Sequence, residues 1–426
     1  SRFCSSQTGP RIFNRRDSRG SWPMAAENAF ATTPGTTTPA LELDELQLLD
    51  TGDVDPKWAS AQFGMDVHCA SFSSTNQDNL DGGGGAERDS ESMRRLSIDA
   101  ADGSREYVVK FAPKPLDPNR AELAREATFY QKLAPQLGDL VPRVVYARGD
   151  MATGRKIIVM EDLGNGIVSG KLLGPWHPHN WAKRETVEAS TAAGPTPEVV
   201  IEGTILAAAR IHARYWMSEE IQEYDWLALR KEDDRGNWEK MLGWSKMLWT
   251  KQREGIEGVV VDPRFAKVVD ASFAQMNWDT HLARLQNMCF TLTQGDFHPY
   301  NVMWMGDERG PVFIDWEVVS AGSPGQELGQ YMVNIDPAMR RNIERPLVES
   351  YVRTLVECGV PAADCTFDAL WEEYVFGGAA KWIWVLPICI DIFKEPKKQQ
   401  WFVDQVSSFC ADHGVDETNV PQPRKS

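Results

Sequence analysis

Apolar and polar residues alternate over three short stretches early in the chain. His68–Ser73, Met93–Asp99 (with Met93, Leu96 and Ile98 apolar) and Tyr107–Phe111 read as β-strands. Asp102-Gly103 between the last two is a hairpin signal. At Ala121–Leu133 the period becomes helical, with Leu123, Ala127, Tyr130 and Leu133 on one face and Asp117-Pro118 as the start signal. Pro142–Ala147 and Lys156–Met160 return to strand. Residues 164–195 are loop-rich, and from there the pattern is mostly helical. Thr196-Pro197 opens a helix running to about Trp216, with further helices in Leu227–Leu248, Pro263–Met288, Pro337–Cys358 and Phe367–Leu386. Three short apolar strands interrupt them: Met288–Thr293, Val302–Met305 and Val312–Ile314, the last two joined by a turn at Gly306–Gly310. The pattern predicts an α+β chain, with a five-stranded antiparallel sheet within residues 41–163 and a helical part over 164–420. Leu41–Leu49 reads as a short amphipathic helix. Residues 1–40, rich in Ser, Thr, Gly, Pro and Arg without periodicity, read as a disordered extension.

Composition narrows the function. The chain has 426 residues, 42% of them hydrophobic, enough for a large core. Its net charge of −16 and the lack of a long basic stripe argue against a nucleic-acid partner. The longest apolar run, Trp382–Ile390, has nine residues and contains Pro387, so no membrane span is expected. Seven scattered cysteines without a C-x-x-C suit a reduced intracellular protein. The expected location is the cytoplasm, or an organelle if the arginines at 2, 11, 15, 16 and 19 belong to a transit peptide. An upstream extension with Met24 as the start is the other reading of that segment.

The chemistry concentrates in Thr291–Trp304 and Val312–Trp316. Asp296 and Asn301 stand five residues apart, and Asp315 closes an apolar run fourteen residues after Asn301. That is the spacing of a kinase catalytic loop and its metal-binding aspartate. In that template the first Asp takes the proton of a substrate hydroxyl, and the Asn and the later Asp hold Mg²⁺ against the ATP phosphates. Carboxylate and amide oxygens are the hard ligands Mg²⁺ prefers. Lys110, in an apolar strand where a charge needs a partner, fits the lysine that contacts phosphates and pairs with a helical glutamate. Glu122 and Glu126 both lie near the apolar stripe of the following helix. Gly82–Gly85, which include Gly83, Gly84 and Gly85, lie between two strands, where backbone N–H groups can approach phosphates.

Gly295-Asp-Phe-His-Pro-Tyr-Asn301 with Phe313-Ile-Asp-Trp-Glu317 resembles the aminoglycoside phosphotransferase and choline kinase superfamily, most nearly its ecdysteroid-kinase-like (CHK kinase-like) branch. The resemblance implies a bilobal protein-kinase-like fold, ATP and Mg²⁺ as cofactors, and a small-molecule hydroxyl as acceptor. It selects Glu126, within Arg-Glu-Ala-Thr-Phe-Tyr, as the partner of Lys110. It makes Met160 the back of an adenine pocket and the backbone of Glu161, Asp162 and Leu163 its hinge. It also implies that His212, in Ile-His-Ala-Arg-Tyr-Trp, positions the loop, and that late helices wall the acceptor site. There Glu372, Glu373 and the nearby tryptophans form either a cation site or one solvated and one core face. The chain departs from the family at Gln294, where relatives have His, and at Glu327-Leu-Gly329, where they have Asp-Leu-Ala. Without an A-P-E segment a protein kinase is disfavoured. The alternative on the same fold is a weak or inactive nucleotide-binding scaffold protein.

Overall fold

Five strands pair antiparallel in the order β1-β2-β3-β5-β4: β1 (Val67–Ser74), β2 (Ser92–Ala100), β3 (Gly103–Ala112), β4 (Val144–Asp150) and β5 (Arg155–Glu161). The computed structural model describes residues 54–74, 92–112, 121–164, 166–174, 176–181, 194–227 and 235–420. Residues 1–40, the helix expected at Leu41–Leu49 and the glycine run Gly82–Gly85 lie outside them.

Period-2 alternation divides the sheet into two faces. Tyr107, Val109 and Phe111 of β3 and Ile157 and Val159 of β5 point to one side. There they meet helix α1 (Pro56–Phe63), through Ala59 and the rings of Trp58 and Phe63. The three strands expected between Trp58 and Lys110 are present, and α1 ahead of them was not anticipated. Asp55 caps the Lys57 N–H and Pro56 occupies the first turn, so eight residues suffice for a helix covering the outer face. Val108, Ile158 and Met160 point to the other side, toward Ala127, Phe129 and Tyr130 of helix α2 (Arg125–Lys132). Ala121–Ala124, expected as the first turn of α2, form a tighter 3₁₀ turn.

The remainder is helical, broken by short strands. In chain order these elements are β6 (Ile167–Val168), α3 (Pro197–Arg214), α4 (Arg235–Arg253), α5 (Pro263–Gln275), α6 (Trp278–Asn287), β7 (Thr291–Thr293), β8 (Val302–Trp304), β9 (Pro311–Phe313), β10 (Ser320–Gly322), α7 (Pro324–Met332), α8 (Pro337–Glu357), α9 (Gly378–Ile392) and α10 (Pro396–Asp412). Thr196 enters α3 in an extended conformation without a side-chain cap bond. The predicted helix Phe367–Leu386 is a helix, a π-turn at Glu373–Gly377 and α9, which continues past Pro387. By length and composition the run Phe367–Ile392 could cross a membrane. Tyr374, Trp382, Ile383 and Leu386 are buried inside the fold, as in a core helix. α7 crosses this run closely: a Cβ on Gly329 would come within 2.6 Å of the Gly378 Cα. α10 was not anticipated; Asp412 joins it to Arg340 and Arg341 of α8.

Candidate active site

The loop leaving β7 is shaped by Gly295. Its φ is +86°, and a Cβ there would lie 2.2 Å from the Val318 carbonyl oxygen, so only glycine makes this turn. The next N–H, of Asp296, donates to Gln294 Oε1 at 2.9 Å. Gln294 Nε2 in turn donates to the carbonyls of Ile314 (3.1 Å) and Asp315 (2.7 Å). An amide thus braces the Asp296 turn against the Asp315 turn at the position where a histidine was expected. The second departure also keeps a bracing role. Glu327 Oε1 accepts the Gly295 N–H at 2.8 Å, and its Oε2 meets His212 Nε2 at 2.7 Å. His212 is buried and held from behind by Tyr351 Oη at 2.6 Å.

Asp296 projects from this turn with its side chain 49% exposed. Gln330 Nε2 donates to its Oδ1 at 3.2 Å, and Asn301 Nδ2 lies 3.4 Å from its Oδ2. His298 Nδ1 accepts the Tyr300 N–H, which leaves Nε2 to face the same carboxylate oxygen at 3.3 Å. Lys381 of α9 donates to the Gly295 carbonyl at 3.2 Å. Burial pushes the Asp296 carboxyl up, but His298, Lys381 and Asn301 outweigh it, and it ends below the usual carboxylate range. Burial likewise pulls His298 down, and Asp296 and Asp315 reverse this to leave it raised. Lys381 ends lowered, because burial exceeds its attraction to Asp296 and Glu327.

The β8–β9 hairpin delivers the other two residues. Val302 pairs with Phe313, and the Ile314 N–H donates to the Asn301 carbonyl at 3.0 Å, so Asn301 and Asp315 emerge side by side. Asp315 has φ +60°, a strained conformation for a residue with a Cβ and one frequent at functional sites. The turn is pinned to α2: Trp316 stacks on Phe129 at 4.1 Å, and its N–H donates to Glu126 Oε1 at 3.3 Å. Lys110 Nζ contacts Glu126 (2.8 Å), Asp315 (2.8 Å) and Glu317 (2.7 Å). Glu126 is thus beside Lys110, as the sequence reading required. Burial, Glu317 and Glu126 hold the Asp315 carboxyl above its ordinary value against the opposing pull of Lys110. Glu317 is driven well below its own, because Lys110 and Lys156 exceed the effect of burial.

Glu126, Asp315 and Glu317 present oxygens within 4.8 Å of one another, but the ammonium groups of Lys110 and Lys156 share that space. Asn301 uses its amide nitrogen on Asp296, through the carbonyl at 2.9 Å and the carboxylate at 3.4 Å, which leaves its amide oxygen as the hard ligand it could offer together with Asp315. The donor set suits Mg²⁺.

Met160 is buried at the end of β5. In the segment after it, the Glu161 N–H donates to the Arg143 carbonyl at 2.9 Å and is thereby engaged, and the Leu163 carbonyl accepts from Gly166 at 2.8 Å. Asp162 pairs with Arg95, and Glu161 with Arg309 at 2.8 Å. Of the late acidic pair, Glu372 is exposed, and Glu373 is buried against Arg284 (2.8 Å) and Ser323 (2.8 Å). That is the arrangement of one solvated and one core side chain. The sequence reading assigned no role to Lys156, Glu317, His298 or Lys381. For Lys156 the signal was present: a second lysine opens an apolar strand.

A profile of the phosphotransferase enzyme family (APH) matches residues 92–355, more than half of the chain. The chain belongs to this family. No curated protein sequence matches it. Among solved structures, a choline kinase from Cryptosporidium parvum Iowa II superposes with a TM-score of 0.51 at 9% identity, covering 88% of this chain and 98% of the other. An ethanolamine kinase from Plasmodium vivax gives 0.44 at 11% identity, covering 88% and 96%. A choline/ethanolamine kinase family protein from Mesorhizobium loti gives 0.41 at 13%, covering 77% and 89%. The five-stranded antiparallel sheet with its helical part is therefore the kinase-like fold of the APH and choline kinase superfamily. In this phosphotransferase, Asp296, Asn301, Asp315, Lys110 and Glu126 all fall within the matched residues.

Proposed function

We propose that this phosphotransferase uses ATP and Mg²⁺ to move the γ-phosphate to a hydroxyl of a small molecule, in the manner of the aminoglycoside, choline and ecdysteroid-kinase-like enzymes. The reading is carried by the convergence of Asp296, Asn301 and Asp315 from two turns braced together by Gln294, beside the Lys110–Glu126 pair.

Asp296 orients the acceptor hydroxyl and takes its proton. Its exposed carboxylate suits that work, and its lowered pKa keeps it ionised at neutral pH. Asn301 and Asp315 hold the metal, which neutralises phosphate charge when bound. Lys110 holds the phosphates, with Glu126 fixing its position. The phosphate-contacting role assigned to Gly83, Gly84 and Gly85 falls on residues outside those described, and Met160 with the backbone of Glu161, Asp162 and Leu163 receives the adenine. The Glu161 N–H is already engaged, so the base is left to the other backbone groups of that segment. The acceptor is a small alcohol; choline is named for the Cryptosporidium parvum neighbour, and its chemistry is one candidate here. A scaffold role has no observation in its favour, since both departures from the family pattern retain the hydrogen bonds that shape the loop.

Thermal unfolding tests the metal assignment. Mg·ADP at about 100 times its Kd stabilises a one-site protein by about 2.7 kcal/mol. The wild-type protein should show a Mg²⁺-dependent shift of this kind, and Asp315→Asn should lose the metal-dependent part. An undiminished shift in that variant would show that Asp315 does not hold the metal.

A further inference from the structure

We propose that Lys156 is a positioning residue that remains on Glu126 and Glu317 so that Lys110 can leave them for the nucleotide phosphates. The inference rests on the phosphotransferase reading above, because it concerns what Lys110 must do there.

The geometry begins in the sheet. Lys110 of β3 stands opposite Ile158 of β5, and Lys156 is two positions from Ile158. Alternation therefore puts both lysines on the α2-facing side. Their ammonium groups bind the same two oxygens. Glu126 Oε2 is 2.8 Å from Lys110 and 3.0 Å from Lys156, and Glu317 Oε1 is 2.7 Å and 2.6 Å away. The two lysines differ in access. Lys156 is fully buried, whereas the Lys110 side chain is 13% exposed and also reaches Asp315.

That difference divides the labour. Asp315 must give up Lys110 to take a metal, and Lys110 must turn toward the phosphates. Without Lys156, this movement would take the lysine ammonium away from two buried carboxylates at once, which is strongly unfavourable. Lys110 would then stay on the glutamates. Because Lys156 bonds both of the same oxygens, each keeps an ammonium partner when Lys110 departs. Lys156 also joins three elements that must hold their spacing: β5, α2 through Glu126, and the segment after Asp315 through Glu317.

A charge-balance experiment tests this, read as the Kd for Mg·ADP by calorimetry alongside the unfolding temperature. Lys156→Met should weaken Mg·ADP binding about tenfold or more, because one lysine must then serve both glutamates. Lys156→Met with Glu317→Gln leaves Lys110 one buried carboxylate to abandon, Glu126, instead of two, so it should bind Mg·ADP more tightly than Lys156→Met yet more weakly than the Glu317→Gln single variant. Lys156→Arg, which keeps the charge, should bind more tightly than Lys156→Met. If Lys156→Met does not fold, the double variant should still bind several-fold more weakly than Glu317→Gln, and equal affinity of the two would overturn the proposal. Unchanged ADP affinity in Lys156→Met, whatever its unfolding temperature, would reduce Lys156 to a structural ion pair. A double variant that binds no more tightly than Lys156→Met would also overturn the proposal. A wild-type protein that binds no ADP defeats the nucleotide reading itself, and this inference with it, whereas tight wild-type binding insensitive to Lys156 defeats this inference alone.

Discussion

At Gly295 one backbone conformation decides how the chain enters Asp296, the proposed base. A Cβ at that position meets a carbonyl oxygen rather than a movable side chain, and φ lies in the left-handed region. Gly295→Ala is expected to destabilise the fold by about 2–4 kcal/mol, combining steric overlap with backbone strain. Urea denaturation measures this; a change within about 0.5 kcal/mol would show that the turn relaxes freely. The same few residues show what sequence could reveal. The five-residue spacing of Asp296 and Asn301 was visible because a tight turn fixes their separation. The role of Gln294 was only partly visible. A glutamine can reproduce a histidine's bridging bonds, but nothing in the one-dimensional pattern says that its two amide atoms reach three backbone groups on two turns. Lys156 was passed over because a single lysine at the start of a strand ordinarily reaches water. Only the register against β3 shows that it cannot.

Among the elements, strands with clear alternation were the most legible. β2, β3 and β5 lie where the apolar pattern put them, because period 2 leaves no other arrangement that buries those residues. α1 escaped notice because it has only eight residues and one buried side chain, Ala59. α10 is amphipathic but rich in Lys and Gln at its start, and its attachment to α8 is electrostatic as well as apolar. Burial raises the Asp412 carboxyl, yet the guanidinium groups of Arg341 and Arg340 outweigh this and hold it below its ordinary value. A depressed carboxylate adds stability above its unfolded pKa of about 3.9 and loses it as pH falls through the folded value. Asp412→Asn should therefore cost about 3 kcal/mol near neutral pH, because Arg340 is fully buried. The gap from wild type should begin to narrow below about pH 4 and close only once the pH has fallen through the lower folded value, where wild-type Asp412 is itself protonated. Chemical denaturation at a series of pH values measures it, and a gap independent of pH would remove the ion pair from the explanation.

Across the molecule, the candidate site depends on ties between the sheet and the helical part. Arg309, in the β8–β9 turn, reaches Glu161 and the carbonyls of Asp139 and Val141. Trp316 stacks on α2, and the two lysines meet Glu317 from the sheet side. These contacts set the distance between Lys110 and Asp296. The kinase-like fold was legible from the sequence because its motifs lie in fixed order along the chain. The acceptor was not, because the residues around it come from helices whose packing no local pattern specifies. The central claim is that Asp296 accepts a hydroxyl proton beside a nucleotide held by other groups. The most direct measurement incubates the wild-type protein and Asp296→Asn with γ-labelled ATP, Mg²⁺ and a small-metabolite library, and records Mg·ATP thermal shifts in parallel. The wild-type protein should label a hydroxyl compound only with Mg²⁺ present, and Asp296→Asn should keep the shift while losing about 10²–10⁴-fold of the transfer. Equal labelling by the variant would contradict the account.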